Sequence, residues 1–531
     1  MKKKIRLLCV AGFIFISFSI NAQFFNEPTF KFGQVLNYLD RYYVDSVNQN
    51  KLTEDAIVEM LKELDPHSSY LTVKEVKELN EPLQGNFEGI GVSFNILNDT
   101  IFIIGTIPSG PSEKIGVMAG DKIIKIDNKN VAGIKITNEM VFSKLRGPKG
   151  TKVTISILRK QVQELIDFTI TRDRIPIFSI EASYMLNKET GYIKLRRFAQ
   201  TTGKEFEKAL DTLKLQNMQS LILDLTDNGG GYLEEAVELA DHFLDDNKLI
   251  VYTKGLHMKK KEYLAEMQGL FEKGKLVVLI DEGSASASEI LAGAIQDWDR
   301  GIIVGRRSFG KGLVQQRCAL QDGSELRLTV ARYYTPSGRL IQKPYNKGAE
   351  EYEKDLINRY NKGEYVHKDS IHFPDSLKYY TLIDKRVVFG GGGIMPDFFV
   401  PLDTSGYSDY YRDIIRKGIL NKFVLNYIDQ NHNNIKSKYP DFDTYLRTFK
   451  VDPILTSLIA YAENEGLKPD IQQINTSKPI LSKLLKAYIA RDIWDSREFY
   501  QIYNQGEDII NKALDIIQNW DISKKKLLNN K

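Results

Sequence analysis

Segments typical of β-strands alternate with segments typical of α-helices between residues 173 and 345. The strand-like runs are GYIKL, SLILDL, KLVVLID and GIIVG, and the helix-like runs between them are KEFEKALDTLK, EEAVELADHFL and SEILAGAIQDW. Short apolar runs that alternate with amphipathic segments are typical of a parallel sheet covered by helices. This order predicts an α/β layer, and it restricts the fold more than any other feature of the chain.

Further regions make the chain multidomain, as its length of 531 residues allows. Residues 23–84 have helical patterning, and residues 85–172 hold short β-rich runs separated by Gly and Asn, which predict a small, mostly-β domain. The α/β core is expected to cover residues 173–402, with a charged, tyrosine-rich insertion at 346–390. Residues 403–531 have few glycines and a repeated helical periodicity, which predicts a C-terminal α-helical extension.

The chain begins with the features of an export signal. A basic start, KKKIR, is followed by an apolar stretch of 14 residues, Leu7 to Ile20, which is too short to cross a bilayer comfortably. Asn21-Ala22 then offers a small-residue cleavage site, so we predict that residues 1–22 are a removed signal peptide. This predicts an exported protein of the periplasm or cell envelope. The alternative is an uncleaved N-terminal anchor.

Charge and cysteine content exclude several classes of protein. The 73 basic and 69 acidic residues become balanced once the four basic residues of the signal are removed, so nothing favours nucleic-acid binding. Only Cys318 remains after cleavage, which excludes an intramolecular disulfide and a cysteine-based metal cluster in the mature chain.

Two turns between a predicted strand and the next helix are rich in small residues: the glycine turn, TDNGGG at 226–231, and the serine turn, GSASASE at 283–289. Backbone N–H groups at the start of a helix have no intrahelical acceptor, so such turns can bind an anion or a developing oxyanion. Ordinary structure also explains both, because a triglycine is often a tight turn and Ser286 with Glu289 fits a helix capping box. From the residues alone, any of the three serines of this turn is a candidate nucleophile.

Lys311 lies between two glycines in the apolar stretch SFGKGLVQQ. Burial disfavours the charged form of a lysine and lowers its pKa, which allows the side chain to act as a general base. Gln315 lies four positions later, on the same face of a strand or a helix, and its neutral amide can hold the amine without restoring its charge. The alternative for Lys311 is a phosphate-binding lysine, but the P-loop pattern is missing.

In combination, these motifs resemble the carboxyl-terminal processing peptidases, which are serine endopeptidases of the S41 type with a PDZ domain. The match runs from about residue 35 to 402 and includes LDPHSSYL, DLTDNGGG, GSASASE, SFGKGLVQQ, YYTPSGR and GGIMPD. The resemblance implies a crotonase/ClpP-like α/β peptidase core with an inserted PDZ-like domain. It also implies that Ser286 is the nucleophile, Lys311 the base and Gln315 the residue that orients the base.

The resemblance implies further site residues around the nucleophile. Backbone N–H groups of Gly230, Gly231 and Ala287 are the expected oxyanion donors. The family commonly has arginine and proline where this chain has Thr226 and Gly229, which leaves the donor assignment open.

Two more positions follow from the same motifs. The position that corresponds to Asp297 is acidic in some family members, where this residue has a supporting role. His67 in DPHSSYL is expected to be structural and to hold the helical region against the core.

Residues 85–172 resemble a PDZ domain, called the PDZ-like domain below. The stretch Gly89-Ile90-Gly91-Val92 would be its carboxylate-binding turn, and the strand from Val92 to Leu97 could accept an extended peptide. The alternative is a simple turn that leads into a strand. In related enzymes the arginine corresponding to Arg146 helps to couple the PDZ domain to the active site, which we carry over as a hypothesis.

The sequence therefore predicts an exported serine endopeptidase that recognises apolar, unstructured C-terminal tails of envelope proteins and cuts near them. It would need no cofactor and no metal, and its partners would be protein or peptide substrates with free C-termini, with a homo-oligomer or an adaptor as further partners. Two alternatives remain: a non-catalytic envelope scaffold that binds protein C-termini, and an acyl-thioester enzyme of the crotonase class.

Overall fold

The computed structural model describes residues 27–160, 162–245 and 247–529. The predicted signal peptide, residues 1–22, lies outside the described residues. Within the part of the chain that is described, no helix combines the length and the apolar character needed to span a bilayer.

The helices of the described residues, numbered in chain order, include short ones in the PDZ-like domain and in the core, and a continuous series after residue 408. They are α1 Glu27–Tyr42, α2 Gln49–Lys62, α3 Val73–Gln84, α4 Pro111–Lys114, α5 Asn138–Leu145, α6 Thr202–Leu215, α7 Leu233–Asp241, α8 Ala287–Asp297, α9 Ala349–Glu353, α10 Asp355–Asn361, α11 Asp409–Arg416, α12 Ile419–Lys438, α13 Phe442–Thr448, α14 Asp452–Asn464, α15 Ile471–Ile493, α16 Ser496–Tyr503, α17 Asp508–Gln518 and α18 Trp520–Asn529.

The strands of the described residues are short, mostly three to seven residues long. They are β1 Ser69–Leu71, β2 Asn86–Gly89, β3 Val92–Leu97, β4 Thr100–Thr106, β5 Lys122–Ile126, β6 Lys129–Asn130, β7 Lys152–Leu158, β8 Ile166–Thr171, β9 Asp173–Pro176, β10 Ile180–Met185, β11 Thr190–Leu195, β12 Ser220–Asp224, β13 Leu249–Lys254, β14 Lys261–Leu264, β15 Lys275–Ile280, β16 Ile302–Gly305, β17 Leu313–Ala319, β18 Glu325–Tyr334, β19 Lys378–Tyr380, β20 Val387–Phe389 and β21 Phe398–Phe399.

The central sheet has the order β10-β11-β12-β15-β16-β21, and all its neighbouring pairs are parallel except β10 with β11. The predicted α/β layer is therefore confirmed, and each strand-like and helix-like run named above forms the predicted element. The crotonase/ClpP-like assignment of this core stays a prediction.

Both faces of the central sheet are covered, as expected for strands such as β15 and β16 that carry apolar side chains at successive positions. Side chains such as Leu221, Leu223 and Val278 pack against helices α6, α7 and α8. The alternate side chains, such as Ile222 and Val277, pack against α17, whose buried face contributes residues including Ile510, Ala513 and Ile516. The last part of the predicted helical extension thus forms one layer of the core.

A second, antiparallel sheet has the order β1-β18-β13-β14, with β17 also paired to β18. Strand β1 comes from the N-terminal helical region, and it pairs with the start of β18 through Leu71 and Glu325. Strand β17 begins at Leu313, two residues after Lys311. This sheet therefore brings the LDPHSSYL segment next to the lysine motif.

Two further units flank the core. The PDZ-like domain has a sheet in the order β3-β4-β5-β7-β8, with β3 at one edge and a core that includes Ile101, Ile103 and Ile123. Helices α11 to α16 pack around their own apolar core, and they are called the helical domain below.

Within the predicted insertion, residues 346–390 form α9, α10 and the β19–β20 hairpin.

Candidate active site

The three serines of the serine turn have different surroundings. Ser284 Oγ donates a hydrogen bond to the Leu225 carbonyl at 2.7 Å, and Ser288 Oγ donates to the Asn228 carbonyl at 2.8 Å. Both of these side chains are fully buried. Ser286 is half-buried, and its φ of +55° and ψ of −111° lie outside the regions that non-glycine residues favour. Two serines thus fix the serine turn to the glycine turn and to Leu225 directly before it, and Ser286 is the only one of the three that is not fully buried.

The glycine turn lies directly against the serine turn. A Cβ atom on Gly230, whose φ is +97°, would lie 2.8 Å from the Ala285 carbonyl oxygen and 2.9 Å from the Ala287 nitrogen. Ala287 is the first residue of α8, where a backbone N–H has no intrahelical acceptor. Only a residue without a side chain can occupy position 230 beside that N–H group.

The three predicted oxyanion donors are in one place, but they are not equivalent. The Gly230 N–H donates to the side-chain oxygen of Asn228 at 2.9 Å, so it is engaged within the turn. Asn228, which is fully buried, also accepts from the Ala285 N–H through its carbonyl at 3.0 Å. Asn228 is a residue that the sequence analysis did not single out, and it holds the two turns together. Gly231 and Ala287 are the better donor candidates.

Lys311 Nζ donates to Gln315 Oε1 at 3.1 Å. The Gln315 amide nitrogen donates in turn to the backbone carbonyl of His67, which fixes the orientation of the amide so that its oxygen faces the amine. A register shift between Val314 and Gln315 bends β17 at this point. The structure therefore brings together the lysine and the glutamine that the sequence paired.

The electrostatic surroundings of Lys311 favour its neutral form. Burial lowers its pKa, and the positive charge of Arg327 lowers it further, whereas Glu289 and Asp65 act in the opposite direction. An amine with a lowered pKa is available as a base at pH values where an exposed lysine would be protonated.

Glu289 connects the serine turn to the lysine loop. Its Oε2 accepts from the Ser286 N–H at 2.8 Å and from the Lys311 N–H at 2.9 Å, so the two nitrogens are separated by at most the sum of these distances, 5.7 Å. Its Oε1 accepts from the Gly310 N–H at 2.7 Å and the Ser308 hydroxyl at 2.5 Å. Burial raises the pKa of Glu289 to about 7, although these four donors act in the opposite direction.

The serine turn and the lysine loop are also joined by a tyrosine hydroxyl, which lies within hydrogen-bond distance of a backbone carbonyl in each. Tyr333 Oη lies 3.1 Å from the Ser286 carbonyl oxygen and 2.5 Å from that of Lys311. The capping box predicted for Ser286 and Glu289 is thus present on its glutamate side, but the sequence analysis missed that Glu289 also holds the lysine loop. Its only sequence signal is a glutamate at the start of the largely apolar helix ASEILAGAIQD.

His67 has the predicted role of joining the helical region to the core. Its backbone carbonyl accepts a hydrogen bond from the Gln315 amide, and its ring nitrogen Nε2 lies 2.7 Å from the Tyr352 hydroxyl of the predicted insertion. Burial and the nearby Lys311 lower the pKa of His67 to about 4, so its ring is neutral at pH 7.

Asp297 lies at the opposite end of α8 from Ser286, about 16 Å away along the helix axis. Its carboxylate pairs with Arg339 at 2.8 Å, both side chains being fully buried, and accepts from the Ser337 N–H at 2.9 Å. Asp297 therefore holds the YYTPSGR segment in place, and the structure does not bring it to the serine or the lysine.

The predicted carboxylate-binding turn of the PDZ-like domain leads into the edge strand β3. The carbonyl oxygens of Ile90 and Gly91 accept from Ser112 and from the Ile107 N–H, within the domain. The ring of Phe94 on β3 lies 5.5 Å from the ring of Phe142 on α5, so apolar side chains line the space between this strand and the helix.

Arg146 follows α5 and lies beside this turn. Its guanidinium group is 4.7 Å from the ring of Phe87 and 4.5 Å from that of Phe142, and it pairs with Glu81 of α3. A Cβ atom on Gly89 would be 3.7 Å from the Arg146 side chain. The structure thus places Arg146 between the predicted tail-binding turn and the N-terminal helical region.

Comparisons with known proteins agree with these features. The family model of Peptidase family S41 matches residues 189–350, the PDZ domain model matches residues 78–158, and a family of unknown function matches residues 410–495. A solved structure, the photosystem II D1 C-terminal processing protease, is 29% identical with a TM-score of 0.34, over 60% of this chain and 91% of that one.

Two curated relatives are similar over most of their own length. The carboxy-terminal processing protease CtpA of Bacillus subtilis is 34% identical over 343 residues, which are 64% of this chain and 72% of that protein. The carboxy-terminal-processing protease of Bartonella bacilliformis is 38% identical over 317 residues, which are 59% of this chain and 72% of that protein. The chain is thus 38% identical to the second of these proteases over 72% of that protein's length, and it also matches the peptidase and PDZ models. This chain therefore belongs to the carboxy-terminal processing serine proteases of peptidase family S41.

Proposed function

We propose that this protease uses serine–lysine catalysis, with Ser286 as the nucleophile and Lys311 as the general base. The observation that carries the proposal is the hydrogen bond of 3.1 Å between the buried amine of Lys311 and the neutral amide of Gln315. A neutral partner holds the amine in place without stabilising its charged form, so the lone pair remains available for a proton.

The proposed reaction uses these two side chains and the backbone N–H groups beside them. Ser286 Oγ attacks the carbonyl carbon of the substrate while its proton passes to Lys311 Nζ. The negative charge on the carbonyl oxygen is stabilised by the N–H groups of Gly231 and Ala287. Lys311 returns the proton to the leaving amine, and it later activates the water that releases the acyl group from Ser286.

The substrates are proposed to be apolar, unstructured C-terminal tails. The edge strand β3 has one free side for an added strand, and the turn at Gly89 to Val92 would receive the terminal carboxylate through its N–H groups. Apolar side chains around Phe94 and Phe142 favour an apolar tail.

The catalytic proposal is tested with two serines of the same turn. Ser286→Ala should abolish cleavage of an unfolded substrate with an apolar tail and leave the melting temperature close to the wild-type value. Ser288→Ala, which removes a buried hydrogen bond instead, should lower the melting temperature and retain cleavage. Full activity of Ser286→Ala would refute the proposal, whereas tail binding without any cleavage by the wild-type protein would favour the alternative in which the PDZ-like domain alone carries the function.

A tail with an amidated C-terminus tests the substrate proposal. The free carboxylate should bind at least tenfold more tightly than the amide, because the turn would lose its charged partner. Equal binding of the two tails would contradict carboxylate recognition.

We also propose that the protein is exported and acts on proteins of the cell envelope, on the basis of the N-terminal pattern KKKIR followed by apolar residues. The N-terminus of the protein recovered from cells tests this. A mature chain that begins after Ala22 supports cleavage and export, whereas an intact Met1 in the cytoplasmic fraction contradicts both.

A further inference from the structure

The helical domain contacts the PDZ-like domain through α12. Leu425 of α12 is buried against Leu97 and Phe102 of the PDZ-like sheet. One helical turn later, Asp429 Oδ2 pairs with Lys122 Nζ at 2.9 Å, with both side chains only partly exposed. An apolar contact and an adjacent ion pair thus join the two units.

This contact lies far from the point at which the PDZ-like domain leaves the rest of the chain. The domain is connected through β2 and β9, which pair with each other side by side through residues such as Phe87 and Ile175. Leu97 is at the opposite end of β3 from Val92, about 17 Å away at the rise of an extended strand. The two connecting strands and the neighbouring pair of Arg146 with Glu81 hold the domain at one end only, which permits rotation about that end, whereas a contact at this distance opposes the rotation.

The helical domain is itself anchored to the peptidase core. Tyr500 Oη donates to Glu181 of β10 at 2.6 Å, and Asn504 Nδ2 donates to the Tyr184 hydroxyl of the same strand at 2.8 Å. Between these anchors and α12 lies the continuous apolar core of the domain. A packed unit thus runs from the edge of the central sheet to the back of the PDZ-like domain.

We propose that Leu425 and Asp429 are specificity-determining residues that fix the orientation of the PDZ-like domain relative to the peptidase core. Strand β3 would then present a bound tail at one distance from Ser286, so cuts would fall at a narrow set of positions counted from the C-terminus. This inference rests on the proposed function, and it assigns a role to the region, residues 410–495, that matches a family of unknown function.

Charge reversal at this contact tests the inference. In Asp429→Lys the new cation faces Lys122, and Lys160 lies beside the backbone carbonyl of residue 429 at 3.5 Å, so the contact should open. The cut positions in an unfolded substrate with an apolar tail are read by mass spectrometry. The dominant product should fall below half of its wild-type share, with new products several residues away, while the Kd for the isolated tail stays within twofold.

Two further variants make the result specific. The double variant Lys122→Asp with Asp429→Lys restores an ion pair and should restore the wild-type distribution of products. Asn421→Lys introduces the same positive charge at an exposed position of the same helix and should cut as the wild type does. If Asp429→Lys fails to fold, Lys122→Ala removes the same ion pair from the other side and should broaden the distribution. A wild-type distribution in a folded Asp429→Lys or Lys122→Ala protein would overturn the inference.

A measurement without catalysis separates this inference from the proposed function. Spin labels at Lys129→Cys in the PDZ-like domain and Lys208→Cys in the core, both exposed positions, are placed in a Cys318→Ser background. The distance distribution between them should be narrow with the wild-type contact and broad with Asp429→Lys. Equally narrow distributions in the wild type and in Asp429→Lys would overturn the inference, whatever the protein cleaves. If the wild-type enzyme is inactive but the distribution of Asp429→Lys is broader than that of the wild type, only the proposed catalysis is contradicted.

Discussion

The backbone N–H groups of Ser286 and Lys311 donate to the same carboxylate oxygen of Glu289, at 2.8 and 2.9 Å. The two residues belong to different loops, 25 positions apart in the sequence. A shared acceptor sets the separation of their main chains, and through it the reach of the lysine side chain toward the serine.

Glu289→Gln should lower kcat/KM by about 100-fold, the scale of loss that a small misplacement of catalytic groups produces. An amide at this position brings an N–H₂ group into a site where four donors already converge, so the serine turn or the lysine loop must shift. Peptidase kinetics check this. Glu498→Gln, which changes another buried glutamate in the helical domain, should stay within about threefold of the wild type.

The pH dependence of kcat/KM should report the titration of Lys311. Its pKa is lowered by burial, so activity should persist well below the ordinary lysine value of 10.5 and disappear as the pH falls and the amine takes up a proton. Gln315→Glu places a carboxylate beside the amine, which raises its pKa and should shift the acidic limb of the profile toward higher pH. An unshifted limb in that variant would mean that a group other than Lys311 titrates there.

Gly230→Ala should reduce activity by more than about 100-fold and destabilise the protein by about 1–3 kcal/mol, because its Cβ would meet the serine turn and its φ is +97°. Gly229→Ala is the matched control, since a Cβ at position 229 meets nothing within 4 Å. Peptidase assays and urea unfolding of the two variants should differ clearly. Equal behaviour would argue against close contact of the two turns.

Arg146→Ala should reduce cleavage while the Kd for a tail peptide changes little, if Arg146 couples the PDZ-like domain to the active site. Glu81→Gln removes its ion-pair partner on α3 and should reduce cleavage in the same direction. Fluorescence anisotropy with a labelled tail, measured beside cleavage rates, separates the two effects. Parallel loss of binding and cleavage in Arg146→Ala would point to a role in the tail site instead.

Ile516→Ala should lower the free energy of unfolding by about 2–4 kcal/mol, because this fully buried side chain of α17 covers one face of the central sheet. Ile471→Ala, at a position that is 77% exposed on α15, should change it by less than about 0.5 kcal/mol. Urea denaturation checks both values. A small effect of Ile516→Ala would mean that α17 is dispensable for the core.

Apolar runs and helical periodicity were sufficient to place the elements of the core, because they report directly which side chains avoid water. The segments around β12, β15 and β16, with α6, α7 and α8, form as their patterns predict. The residues alone paired Lys311 with Gln315, but the choice of Ser286 came from the resemblance to a family, since the residues left three serines equally suitable.

The periodicity of a segment shows that a face is buried, but it does not show which partner covers that face. Packing of the folded chain put α17 onto strands β12 and β15 of the central sheet, which come more than 200 residues earlier in the sequence, and it put Asp297 at the far end of α8 from Ser286. It also buried Ser284 and Ser288 and gave Glu289 its hydrogen bonds to the lysine loop. These features depend on contacts between residues distant in sequence, which local patterns do not encode.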